Sequence, residues 1–255
     1  MLQSDIQQRE LAIQHHETQI LKLQAQIQQA IPEVDEEEIK RSLKKHLGNS
    51  VWFCLDQRSQ RDLVTAYKHD FLIRADDFTA DASDFSEAGI RLGFVAEREV
   101  VQPFFKSLRE FLINNGHVDE IAGLMLSNNK KFTLGMMPAL IAEQWTTFKE
   151  SALKKRSQSN NLELFGTVSY GQQVSESDRT QIQQFLQSWE HPLGPWLLNH
   201  PTQAASAIDQ INKLRNICAH AEDILHRWQF DFMAALIVGD DDQRGILQEI
   251  FSSRK

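Results

Sequence analysis

The hydrophobic pattern is helical along most of the chain, and it opens on a heptad. Ile6, Ile13, Ile20 and Ile27 stand seven residues apart; with these at position a, Leu2, Arg9, His16, Leu23 and Ala30 fall at d. Isoleucine at a favours parallel two-stranded coiled coils, while Arg9 and His16 interrupt the seam. The Gln-rich positions between them hold neither Gly nor Pro until Pro32, which ends the helix. The period predicts a self-associating coiled coil over residues 1–32; the alternative is an amphipathic helix lying on its own domain.

Residues 33–80 read as connecting helices. Asp35 is placed as an N-cap, followed by Glu36, Glu37 and Glu38 where the helix dipole favours anions. Lys40, Arg41, Lys44 and Lys45 follow, with Gly48 as the stop, so this charge run is expected to be a solvated face. Residues 50–73 continue as helix with Trp52, Leu55, Leu63, Ala66 and Tyr67 as core positions. The Asp-, Ala- and Thr-rich stretch 75–83 reads as a loop and is taken as a domain boundary.

The third region, residues 81–255, is a succession of helices. Asp84 with Glu87 resembles a capping box, and Ile90, Phe94, Val101, Phe105, Leu108 and Leu112 form a stripe that Asn115-Gly116 ends. Pro103 inside that stripe predicts a kink. A helix from Thr133 or Pro138 to Leu153 would bury Leu140, Ile141, Trp145 and Phe148. Residues 154–175 read as a long loop with a small hairpin around the 162–168 apolar patch. Helices are expected at 176–189 and 202–215, the latter packing through Ala204, Ala207, Ile208 and Ile211, with a loop at 192–201 between them. Ile224, Trp228, Phe232, Ala235 and Leu236 mark another helix; Gly239 and three aspartates break it, and Ile246, Leu247 and Ile250 pack a last one. The expected class is all-α, a helical bundle preceded by a coiled-coil helix.

Composition narrows the function. The 255 residues carry a net charge of −8, with 27 Lys+Arg against 35 Asp+Glu. That speaks against a non-specific nucleic-acid coat but leaves room for a locally basic pocket that grips one or two phosphates. No apolar run reaches the roughly 18 residues of a membrane span, and the polar N-terminus is no signal peptide, so a cytoplasmic protein is expected. Cys54 and Cys218 match no zinc or redox spacing, and His15-His16 has no neighbours at metal-ligand spacing. Phosphate-loop, dinucleotide, nucleophile-elbow and zinc-helix motifs are missing from the sequence, so no cofactor or metal is expected.

Arg215 and His220 remain. Arg215 lies four residues after Ile211 and seven after Ile208, so it continues the core-facing stripe. A guanidinium there requires a carboxylate or a phosphate to meet it. His220 follows five residues on, about 140° round an ideal helix. The two share a ligand only if the chain turns at 217–219 or a second subunit supplies one of them. The structural alternative is an Arg215 salt bridge within the bundle and a His220 that caps a helix. Glu97 also falls inside an apolar stripe; Arg215 and Arg98 are its candidate partners, and an edge position reaching solvent is the alternative. Lys154, Lys155 and Arg156 form a basic cluster that would touch RNA or, as such clusters usually do, complement a helix C-terminus.

The segment Arg215-Asn216-Ile217-Cys218-Ala219-His220 resembles the signature of the HEPN superfamily, an Arg, a polar residue, three to five others and a His. The order of "DFSEAGIRLGFVAEREVVQPFF", "FTLGMMPALI" and "LRNICAHAEDILHRWQFDFMAALI" extends the resemblance over residues 50–255. It implies a HEPN-like bundle whose protomers face each other, forming one composite, metal-independent endoribonuclease site. His220 would be the general acid/base, Arg215 would bind the phosphate and stabilise transition-state charge, and Asn216 would position a phosphate oxygen or the histidine. Imidazole, which gains and loses a proton near neutral pH, suits that role. The implied partners are RNA, a second copy and a protein partner or antitoxin, in a defence, toxin or RNA-processing system. The resemblance equally allows a non-catalytic HEPN scaffold, or a domain modified by a partner nucleotidyltransferase.

Overall fold

The computed structural model describes residues 34–75, 83–127, 131–142, 146–148, 167–169, 174–220 and 222–252, together with Ile13, His16, Gln19, Ile20 and Lys22. The chain divides into two compact units, Met1–Asp35 and Glu36–Lys255. In the first unit, those five residues are helical, and Ile13 and Ile20 are 57% and 54% exposed.

The second unit is all-α. It begins with α1 (Glu36–Leu47), acidic in its first turn and basic in its last, directly after Asp35. Gly48 ends α1 at φ 85°, a conformation that favours glycine. The helical stretch expected over 50–73 is two helices, α2 (Asn49–Cys54) and α3 (Gln57–Ala75), separated at Leu55 and Asp56. α3 packs against α4 (Ser86–Ala96). Buried Asp62 on α3 accepts from Arg98 at 3.0 Å and Arg91 at 3.3 Å, so residues 36–75 belong to the same unit as those that follow. The boundary expected near residue 80 therefore lies inside one compact unit, and residues 76–82 lie outside the described residues.

α4 passes through a π-helical turn, Glu97–Val101, into α5 (Gln102–Asn114). The Gln102 N–H donates to the Glu97 carbonyl, a bond spanning five residues instead of four. Pro103 supplies the physical reason: it has no N–H, and its ring would clash with the Glu99 carbonyl of a regular helix. The expected kink is thus an inserted residue, and it changes the phase of the apolar stripe. Upstream, Phe85, Ala88, Leu92, Val95 and Ala96 are buried while Ile90 and Phe94 are only half-buried; downstream, Val101, Phe105, Leu108 and Leu112 are buried as expected.

A two-residue hairpin, β1 (Glu120–Ile121) with β2 (Leu124–Met125), follows. The helix expected over 133–153 is instead a 3-10 turn, Leu134–Met136, a short α6 (Pro138–Ile141) and a strand β3 (Thr146–Phe148) paired antiparallel with β4 (Thr167–Ser169). Leu140 and Ile141 are buried as expected. The hairpin expected within 154–175 thus contributes one strand, whose partner lies upstream.

α7 (Glu176–Ser188) starts on the side chain of Ser175, which accepts from the Asp178 N–H. The loop expected at 192–201 is a helix, α8 (Leu193–Asn199), and the next helix, α9, spans Pro201–Ala219. Pro192 and Pro201 occupy the N-cap and the first turn, where a missing N–H loses no bond. α10 (Arg227–Ile237) buries Phe230, Met233, Ala234 and Ile237; the expected stripe of Trp228, Phe232 and Leu236 is half-buried and Ile224 is exposed. α11 (Ile246–Phe251) closes the unit. Aromatic rings fill the core, with Phe185 stacked on Trp189 at 5.0 Å and Phe85 on Phe230 at 5.7 Å. Burial of each such ring contributes on the order of 2–3 kcal/mol. No described helix is long and apolar enough to cross a membrane.

Candidate functional site

α9 is held by the spacing of Ala204, Ala207, Ile208, Ile211, Leu214 and Ile217, all buried. Against it lies α4, which presents Gly89 and Gly93 one turn apart. A Cβ on Gly93 would stand 2.6 Å from Arg215 Cγ and 3.2 Å from Arg215 Cβ. A Cβ on Gly89 would stand 2.6 Å from Cys218 Sγ and 2.5 Å from Leu225 Cδ2. The two glycines let the helices approach, so that the aliphatic stem of Arg215 lies flat on α4.

The charged end of Arg215 reaches the π-helical turn. Its Nη2 lies 3.4 Å from Glu97 Oε1, with 26% of the Arg215 side chain and 16% of the Glu97 side chain exposed. This is the carboxylate that the apolar stripe demanded. A charge-assisted hydrogen bond is shorter, about 2.7–2.9 Å, so the pair is a loose ion pair. Among the described residues, the buried Nε of Arg215 has no hydrogen-bond partner. Burial raises the Glu97 carboxyl above its usual range, opposed by Arg215 and Arg98. Arg215 and Glu97 both line a cavity of about 590 Å³ floored by Phe105, Leu126 and Phe132.

His220 is the first residue beyond α9; its N–H donates to the Ile217 carbonyl at 3.3 Å and its side chain is exposed. The turn at 217–219 that would have let one chain bring Arg215 and His220 together does not occur, because α9 stays helical through Ala219. The pair is therefore separated by about 140° and roughly 7.5 Å along the axis. Asn216 is half-buried, and neither it nor His220 is among the described residues lining the cavity. The segment after His220 is tied back at Leu225, whose N–H donates to Asp84 Oδ1 (3.2 Å) and Ser86 Oγ (3.0 Å). Asp84 thus serves the junction with α10 as well as the start of α4. Lys154, Lys155 and Arg156 lie outside the described residues.

Sequence reading missed the Gly89/Gly93 contact, although a Gly-x-x-x-Gly spacing inside a helix is a visible sign of close approach. It also missed the polar face of α5 made by Gln102, Lys106 and Arg109, whose spacing of four and seven places them on one side. Cys218 is half-buried against Gly89, and burial pushes its thiol up to about 12, which disfavours the thiolate. Among the described residues, no group of three or more His, Cys, Asp and Glu is arranged to hold a metal ion. Comparison with family models, curated proteins and solved structures gives no match.

Proposed function

We propose that this chain is a metal-independent endoribonuclease of HEPN type whose site is completed by two copies. The observation that carries the reading is Arg215: a half-buried guanidinium on a cavity wall, only loosely paired to Glu97. Such a group is suited to a phosphate oxygen, which accepts from two guanidinium N–H groups at once. His220 stands exposed at the end of the same helix, on a different azimuth, where a facing copy would complete the pair. Ile13 and Ile20, a heptad apart and exposed, support self-association by the N-terminal helix.

In the proposed reaction the 2′-oxygen of RNA attacks its own 3′-phosphate and the bond from phosphorus to the 5′-oxygen breaks. A His220 takes the 2′-hydroxyl proton and a protonated His220 gives one to the leaving 5′-oxygen. Arg215 holds the charge that builds on the phosphoryl oxygens. The products are a 2′,3′-cyclic phosphate and a 5′-hydroxyl end.

Incubation with total RNA in EDTA, beside Arg215→Ala and His220→Ala forms, tests this. Cleavage by the wild type alone, leaving cyclic phosphate ends, is expected; cleavage by no form, with expression non-toxic, counts against it. Light scattering with and without residues 1–31 tests the two-copy site, and a monomer in both cases removes it. A second reading, a non-catalytic interaction module, is favoured by the Glu97 partner that Arg215 already has and by the net charge of −8.

A further inference from the structure

The cavity beside Arg215 gathers positive charge in a chain that is acidic overall. Lys106 and Arg109 reach it from α5, and Lys131 reaches it from the segment that precedes the 3-10 turn. With Arg215 they make four cationic groups on its walls, against Glu97 and Glu110. Arg109 is fixed by Asp119 at 3.2 Å. Lys106 and Lys131 are exposed, and among the described residues neither forms an ion pair.

Isolated lysines on a helix face are ordinarily just solvated. Here two features distinguish them. They come from separate segments onto one cavity, and Arg215 lines that same cavity. The floor is apolar: Phe132 lies on the fully buried ring of Phe105 with centroids 4.3 Å apart and planes 11° apart. An apolar floor lowers the local dielectric and strengthens attraction between the ammonium groups and an anion. Ser127 and Thr133 add hydroxyl donors at the rim.

We propose that this cavity is a phosphate-binding subsite, in which Lys106 and Lys131 hold a phosphate next to the one that Arg215 contacts. Its ligand, a flanking phosphodiester of RNA, rests on the nuclease reading; its preference for phosphate does not. A free polyphosphate is the other source of the same chemistry.

The test uses the full chain and Lys106→Gln/Lys131→Gln, with unchanged melting temperature as the check on folding. The probes are a fluorescein-labelled 2′-O-methyl oligoribonucleotide, which cannot be cleaved, read by anisotropy, and inorganic tripolyphosphate, read directly by titration calorimetry. The double variant is expected to bind the oligonucleotide about tenfold more weakly at moderate salt and to lower the log–log salt slope by about 1–2. Tripolyphosphate that binds through the same lysines while the oligonucleotide does not bind supports the subsite, assigns it to a free polyphosphate and removes the RNA ligand. Wild-type affinity in the double variant overturns the subsite, as does a wild type that binds neither probe. Binding through the lysines without any cleavage of total RNA leaves the subsite standing and brings down the nuclease. Cleavage with binding indifferent to the lysines does the reverse.

Discussion

Replacing Gly93 by alanine sets two effects of opposite sign against each other. The new methyl group would lie 2.6 Å from Arg215 Cγ and 3.2 Å from Arg215 Cβ, inside the roughly 3.5–4.0 Å at which carbon atoms attract. Rotating the arginine relieves the first contact. The second is to an atom anchored on the backbone of α9, so relieving it requires α4 and α9 to part. Overpacking of this kind destabilises by about 1–3 kcal/mol. Against it stands the helix preference of alanine over glycine, about 0.8–1.0 kcal/mol. The net expectation is a loss of about 1 kcal/mol, read as a lower urea midpoint with an unchanged m-value. The same shift displaces the guanidinium, and a misplacement near 1 Å lowers a positioned reaction by about 10²-fold. RNA cleavage should therefore fall far more than stability does. A Gly93→Ala protein that is more stable by about 1 kcal/mol, the propensity gain alone, would show that no close approach exists and that Arg215 is not held by it.

Three other outcomes follow from the buried ionisable groups. Asp209 is 4% exposed, one of its oxygens has no hydrogen-bond partner among the described residues, and burial raises its carboxyl to about 6, opposed by Lys213. A folded value above the unfolded one means stability is highest below about pH 4 for this group and is lost as pH rises through 6, by about 3 kcal/mol for a two-unit shift. Asp209→Asn should remove that slope in denaturation measured from pH 4 to 7 and be the more stable form at pH 7; a variant with the wild-type slope refutes it. Glu97→Gln should change the melting temperature little, since both partners reach solvent, yet reduce cleavage by loosening Arg215; unchanged activity and stability together would dismiss the pair. Cys218, with its thiol pushed up to about 12 by burial, should react with a disulfide reagent at pH 8 far more slowly than a free cysteine, and a rate equal to that of a free cysteine refutes it.

Helical character was legible over most of the chain, the stripe from Leu140 to Phe148 being an exception, where a strand follows the short α6. The dipole-ordered charges of α1, the stop at Gly48 and the span of α7 follow from local chemistry, and they appear where expected. Errors collected where the period is interrupted or where one residue type has two meanings. The stripe through Ile90 and Phe94 was out of phase because the π-helical turn inserts a residue that no period reveals. Pro192 and Pro201 signalled a loop, yet each stands at a helix start, where proline is tolerated for the same reason that it breaks an interior.

The place of Arg215 on a core-facing stripe, and its need for an anionic partner, could be read from spacing alone, because a 3.6-residue period reports which face leaves water. Glu97 could be named as a candidate partner from its own stripe, but not chosen over an edge position reaching solvent. That choice depends on a widened turn in another helix, on two glycines that admit the arginine stem, and on a cavity that brings Lys106 and Lys131 together from separate segments. Periodicity describes one face of one helix, whereas a site depends on what meets that face. Long-range packing settles that, and here it turned a residue on a stripe into one wall of a positively charged cavity.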